Sequence, residues 1–206
     1  MNKEATLIIL AGGKSSRMGF PKGLLKHKNT FWILSQIENF IGDEVYIGLG
    51  YDYQLYFDAI PWLEKAVEKP ISLNGKQVNV VLNSSPEFGK FSTLQTVLEK
   101  LNNLHQIIVL PVDVPLFSVN EQEKLINNEC LISIPTFNNK KGHPVVLAPK
   151  FWKLLLQLNA TDKDSRLDFQ IKKRNASEIS LVEVSDALCI RNLNTPKDWK
   201  VFISAN

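Results

Sequence analysis

The chain has 206 residues, 44% hydrophobic and 22% charged, the proportions of an ordinary soluble globular protein with a sizeable core. No apolar run approaches the roughly 18 residues of a membrane span, and the opening Met-Asn-Lys-Glu lacks the apolar core of a signal peptide. Net charge is only +3, yet residues 5–37 carry five cations (Lys14, Arg17, Lys22, Lys26, Lys28) and no acid. That distribution argues for a local anion site and against a nucleic-acid or membrane surface.

In chain order, Thr6–Leu10 reads as a buried strand running into Gly12-Gly13. Helical spacing covers 31–41 and an apolar strand 45–49. The less regular stretch 51–76 is expected to be a peripheral helix plus a loop, with a turn at Asn74-Gly75. Strands are predicted at 78–82 and 107–112, helices at 92–104 and 119–127. Strands at 131–135 and 144–148 follow, then helices at 150–158 and 196–204, the last with Thr195 as cap and Pro196 in its first turn. The alternation predicts an α/β fold with a mostly parallel central sheet covered on both faces, in one domain over 1–206. Cys130 and Cys189 lie in apolar segments and are expected as reduced core thiols, which suits the cytoplasm. Trp32, Trp152 and Trp199 fall at helical positions and are expected in the core. His27 and His105 have no motif around them and are expected at the surface.

The most informative stretch is Leu10-Ala11-Gly12-Gly13-Lys14-Ser15-Ser16-Arg17-Met18-Gly19-Phe20-Pro21-Lys22. Glycines at a strand end let backbone N–H groups approach a phosphate or base closely, and three cations follow. It is neither of two familiar phosphate loops. A P-loop needs glycine where Ile8 stands, and Gly12-Gly13 followed by Gly19 lacks the dinucleotide spacing. Read from composition alone, a glycine turn beside a solvated basic face fits as well. A second candidate is Asp113, the acid closing the apolar run 106–112. In open α/β sheets ligands gather outside the carboxyl ends of strands, and a lone carboxylate suits Mg²⁺, which keeps its waters and borrows phosphate ligands. A turn or helix cap near Ser118 accounts for the same aspartate equally well.

The pattern Leu-Ala-Gly-Gly-x-Ser-x-Arg-Met-Gly-x-x-Lys resembles the signature of the molybdenum cofactor nucleotidyltransferase family, whose relatives make cofactor dinucleotides and nucleotide sugars. The resemblance implies a three-layer Rossmann-like nucleotidyltransferase fold. It implies that Leu10, Ala11, Gly12 and Gly13 line the nucleobase, that Lys14, Ser15, Arg17 and Lys22 serve the triphosphate, and that Asp113 carries Mg²⁺. The stretch Asn83–Gln95 resembles the family's glycine-x-x-serine-serine/threonine-leucine segment, so Asn83, Gly89 and Ser92 join the nucleotide-binding set, with Ser92 also a candidate N-cap.

Lys141-Gly142-His143-Pro144-Val145 resembles the cytidylyltransferase branch, as does Asp162–Leu167, although Asp164 and Ser165 replace its glycine and alanine. His143 and Arg166 are thereby implied as acceptor contacts. The segment 192–198 resembles a closing Asp-x-Asp-Thr-Pro-x-Asp, but Asn192 and Asn194 replace both leading acids. Asn194 as a second metal ligand would bind through its amide oxygen, with one negative charge fewer.

The activity implied is Mg²⁺-dependent transfer of a nucleoside monophosphate from GTP or CTP to the phosphate of molybdopterin or a similar phosphomonoester, releasing pyrophosphate, with Arg17, Lys22 and Asp113 catalytic. The acceptor phosphate is already a nucleophile, so no general base is needed. The cues to the base conflict. Glycine at position 12 is typical of guanine-using relatives and leaves room for a purine, whereas Gly-His-Pro belongs to the cytidylyl branch. Two other readings stand: a sugar- or polyol-phosphate nucleotidyltransferase, and a catalytically weak nucleotide-binding regulator, suggested by Asn192 and Asn194.

Overall fold

A computed structural model describes residues 4–205. It begins with β1 (Ala5–Ala11), a small hairpin of β2 (Lys26–His27) and β3 (Thr30–Phe31), and α1 (Trp32–Glu38). β4 (Glu44–Leu49), α2 (Tyr53–Ala59), α3 (Trp62–Lys65), β5 (Ile71–Leu73) and β6 (Lys76–Leu82) follow. Next come α4 (Lys90–Leu98), β7 (Gln106–Pro111), α5 (Val119–Ile126), β8 (Ile132–Phe137), β9 (Lys140–Lys141), β10 (Val145–Leu147) and α6 (Pro149–Leu155). The chain closes with α7 (Leu167–Lys172), β11 (Ile179–Glu183) and α8 (Pro196–Ser204).

The main sheet runs β11-β8-β10-β7-β1-β4-β6-β5, with β9 paired to β8. Its centre is parallel: β1 lies between β7 and β4, and β6 continues beyond β4. β1 is buried at every position and, Thr6 apart, apolar, because both its faces are covered. Leu7, Ile9 and Ala11 face one layer with residues of α1, α5 and α8, while Ile8 and Leu10 face the other with α4 and α6. The expected α/β architecture with a mostly parallel sheet is what the chain forms.

Departures from expectation have local causes. The 51–76 stretch folds as two short helices and a strand, because Asn74 and Gly75 both take positive φ (50° and 84°) and turn β5 back onto β6. The strand expected at 144–148 is β10, antiparallel to both neighbours, since Asn138 and Asn139 adopt left-handed conformations that reverse the chain after β8. α4 starts at Lys90 and ends at Leu98 instead of spanning 92–104. Beyond it, the Asn103 side chain accepts from the His105 N–H and donates to Thr6, a local alternative to further helix. β11, at the sheet edge with Leu181 exposed, and α7 carried too little periodicity to be read.

The three tryptophans are buried as expected, and two anchor backbone carbonyls: Trp32 Nε1 donates to Val112 O (2.7 Å) and Trp152 Nε1 to His105 O (3.0 Å). Cys189 is buried, but Cys130 is only partly so; both are free thiols. His27 corrects the surface expectation. It is 7% exposed, hydrogen-bonded through Nδ1 to Ser35 Oγ (2.9 Å), and packed among the rings of Trp32, Trp199 and Phe202. Burial, with a smaller contribution from Lys28, lowers its pKa. His105 is partly exposed and pairs with Glu4 at 2.8 Å.

Candidate active site

A cavity of about 420 Å³ opens at the carboxyl ends of β1 and β7. Its walls come from four segments: the loop after β1 (Gly12, Gly13, Ser15, Ser16, Arg17, Lys22), the start of α4 with Pro86 and Gly89, the residues just past β7 (Val112, Asp113), and the loop leading to α8 (Asn192, Asn194), with Leu10 and Tyr51 between them. The glycine loop curls because the N–H groups of Met18 and Gly19 both bond Ser15 O (2.8 and 3.1 Å). A short 3₁₀ turn at Lys22–Leu24 then brings the Lys22 side chain back over the sheet end.

Backbone bonds fix the carboxylate. Val112 N–H donates to Leu10 O (3.1 Å) and Leu193 N–H donates to Asp113 O (2.7 Å), tying β1, β7 and the 192–194 loop together. That loop is held in turn by the cap of α8, where Asp198 accepts from the N–H groups of Asn194 and Thr195 (3.1 and 2.8 Å). Lys22 Nζ lands 3.0 Å from Asp113 Oδ2 and 2.8 Å from Asn194 Oδ1, and Arg17 donates to the same Asn194 oxygen at 3.0 Å. Lys90 Nζ stands 3.9 Å from the other oxygen, Asp113 Oδ1. Burial alone would raise the Asp113 pKa; Lys90 and Lys22 outweigh it and hold the carboxyl below its ordinary range. The lining thus carries three cations, Arg17, Lys22 and Lys90, against one carboxylate.

Among the described residues, no cluster of three or more His, Cys, Asp or Glu side chains could cage a metal. The donor set still fits a hard divalent cation that brings its own phosphate and water ligands: Asp113 Oδ1 lies 3.9 Å from the Lys90 ammonium, beyond hydrogen-bond distance, and Asp113 Oδ2 and the Asn194 amide oxygen converge on the Lys22 ammonium. With both leading acids replaced by amides, such an ion would have a single protein charge to hold it.

Several expected residues do not line the cavity. Ala11 is buried beneath it. Lys14 stacks over the Tyr51 ring at 4.6 Å, and Tyr51 is in the wall. Asn83 and Ser92 are buried supports: Asn83 Nδ2 donates to Ser92 Oγ (2.8 Å) and Thr93 Oγ1 (3.0 Å), and Ser92 Oγ donates to Gly89 O (2.9 Å). Gly89, not Ser92, is the N-cap of α4. His143 is not in the wall, although Lys90 and Asp113 are within electrostatic reach of it; burial first, then Lys90, lowers its pKa. Its backbone N–H donates to Cys189 O (2.8 Å), and at Gly142 a Cβ would overlap that same carbonyl, which is why glycine precedes the histidine. Arg166 is not brought to the wall; it pairs with Asp168 (3.0 Å) in the exposed turn opening α7.

Gly12 corrects a physical argument. A Cβ there would come within 2.6 Å of Thr93 Oγ1, so the space left by the missing methyl is filled by Thr93, not open to a purine. Sequence reasoning missed Lys90, Tyr51, Thr93 and Asn192 as wall residues. Lys90 and Thr93 lay inside the segment already singled out, one beside Gly89 and one beside Ser92; only Tyr51, in irregular sequence, carried no signal.

Residues 7–175 match the MobA-like NTP transferase domain. The chain belongs to that family. Similar solved structures cover nearly the whole MobA-like chain. Rv0371c of Mycobacterium tuberculosis H37Rv in complex with manganese is 18% identical (98% of this chain, 100% of that chain, TM-score 0.69). A Methanothermobacter nucleotidyl transferase, Mth528, is 16% identical (100% and 98%, TM-score 0.74). Molybdopterin-guanine dinucleotide biosynthesis protein A from Archaeoglobus fulgidus is 14% identical (97% and 97%, TM-score 0.68). At these identities the likeness is one of fold. No curated protein matches the MobA-like chain in sequence. Among the described residues, no helix is long and apolar enough to cross a membrane.

Proposed function

We propose that this MobA-like protein is a cytoplasmic enzyme that transfers a nucleoside monophosphate from GTP or CTP to the phosphate of molybdopterin or a similar phosphomonoester, releasing pyrophosphate. The observation that carries this reading is the meeting of Lys22 and Asp113 at 3.0 Å, from two strand ends, in a cavity whose other charges are cations. The loop backbone from Leu10 to Gly13, supported by Ala11, Asn83 and Ser92, holds the nucleoside. Arg17 and Lys22, with Lys14 and Ser15 at the rim, neutralise the triphosphate and the leaving pyrophosphate. Asp113, with Asn194, holds Mg²⁺ or a similar ion, which supplies charge neutralisation at the reacting phosphates when bound. His143 borders the acceptor side, whereas Arg166 is committed to Asp168.

Catalysis in such a site is positioning plus charge neutralisation, with no proton to abstract. Thr93 removes the one steric argument for a purine, and the base is decided by measurement. A ligand bound only to the folded state adds about 2.7 kcal/mol at a hundredfold excess over Kd, so in a thermal-shift panel of four triphosphates with Mg²⁺ the preferred one should stand out. Pyrophosphate release with that triphosphate and molybdopterin, or a panel of sugar and polyol phosphates, then names the acceptor. Equal shifts from all four triphosphates, or none, would sink the reading. Nucleotide binding without pyrophosphate release from any acceptor would favour the regulator reading, which the amides Asn192 and Asn194 in the wall support.

A further inference from the structure

The cations of the cavity divide into two kinds. Lys22 is 11% exposed, and its ammonium is shared between Asp113 and Asn194; Arg17 is likewise bonded to Asn194. Both belong to the loop after β1. Lys90 comes from the opposite wall, as the first residue of α4, and its side chain is 68% exposed. At 3.9 Å from Asp113 Oδ1 it is in ion-pair range without a close hydrogen bond, so its donors remain available to an incoming anion. The opening turn of α4 adds backbone N–H groups and the positive end of a helix dipole beside it.

Two polyanions have to meet here. The triphosphate is served by the glycine loop, and a phosphomonoester, largely dianionic near neutral pH, must approach it from the open side. We propose that Lys90 is a catalytic residue on the acceptor side, holding the attacking phosphate in line with the α-phosphate while Lys22 and Arg17 hold the leaving group. The assignment rests on the nucleotidyl-transfer reading above. In the step it assists, an acceptor phosphate oxygen forms a bond to the α-phosphorus. The bond from that phosphorus to the oxygen bridging to the β-phosphate breaks, and its electron pair leaves with pyrophosphate. No proton moves on the protein.

The test uses the full chain with the α,β-methylene analogue of its preferred triphosphate bound, and inorganic phosphate as the acceptor probe, titrated by calorimetry. Loss of one charge-assisted contact predicts that Lys90→Ala weakens phosphate binding roughly 10- to 100-fold. Lys90→Arg should recover affinity to within about threefold, since it restores a fixed cation. Affinity for the analogue should change by less than about threefold in both variants, which also reports that they fold. Phosphate affinity unchanged in Lys90→Ala overturns the assignment and leaves nucleotidyl transfer standing. A wild-type chain that binds no triphosphate overturns both.

Discussion

The two rims of the sheet are built from the same β1 and differ in charge. At its carboxyl end the cavity holds Arg17, Lys22 and Lys90 around Asp113. At its amino end a smaller cavity, about 260 Å³, is lined by Glu4, Asp43 and Glu123, with no lysine or arginine among the described residues of its wall. The backbone enforces part of this, since strands and helices alternate so that α4 points its amino end at the upper cavity only. Side chains do the rest. A net charge of +3 would never announce an anion site; its concentration on one rim does.

Removing a charge from the upper rim should have the largest effect. Lys22→Ala or Asp113→Asn is expected to lower kcat by roughly 10²–10³, the loss typical of one preorganised electrostatic contact, measured as pyrophosphate release. A loss below about tenfold would mean that the upper rim merely binds. The next test uses pH. Asp113 has a folded pKa below its ordinary 3.8, so its contribution is present above that value and lost as pH falls through the folded pKa. His27 has a folded pKa below 6.5, so the folded state resists its protonation. Stability is full above the unfolded value and declines as pH falls below it, until the folded pKa is passed. Thermal melts across the acid range should therefore fall in two stages; His143, its pKa likewise lowered by burial, shares the first, so His27→Phe should reduce that stage without abolishing it and leave the second unchanged.

The smallest effect is expected at the lower rim. The seven residues of β1 separate the rims by roughly 20 Å at about 3.3 Å per residue, more than two Debye lengths at physiological salt, each about 8 Å. Glu123→Gln should leave kcat/KM within about twofold. A larger change would break the separation of the rims.

What was legible in the sequence follows the same division. The parallel centre was readable because strands buried on both faces carry continuous apolar runs, as in Leu7–Leu10 and 107–112. The glycine loop and Asp113 stood out as strand-end features, but the residues alone fitted a solvated turn and a helix cap equally well, and it was the resemblance to the nucleotidyltransferase signature that joined them into one candidate site. What chain reversal sets was not readable: β5 and the antiparallel direction of β10 depend on asparagines in left-handed conformations, and β11 is a half-exposed edge. His27 looked like a surface residue because its ring partners Trp199 and Phe202 lie far along the chain. Lys90 was passed over because a lysine opening a helix is ordinary until the fold sets an aspartate opposite it.

One feature at the end of the chain bears on how the protein can be cut. The family match stops at residue 175, yet Asn192 and Asn194 stand in the cavity wall, and Leu193 grips the Asp113 carbonyl. A fragment trimmed to the matched boundaries would keep Lys22 and Asp113 but forfeit one side of the pocket. It would also strip Trp199 and Phe202 from His27 and Trp32, leaving those two rings bare to solvent.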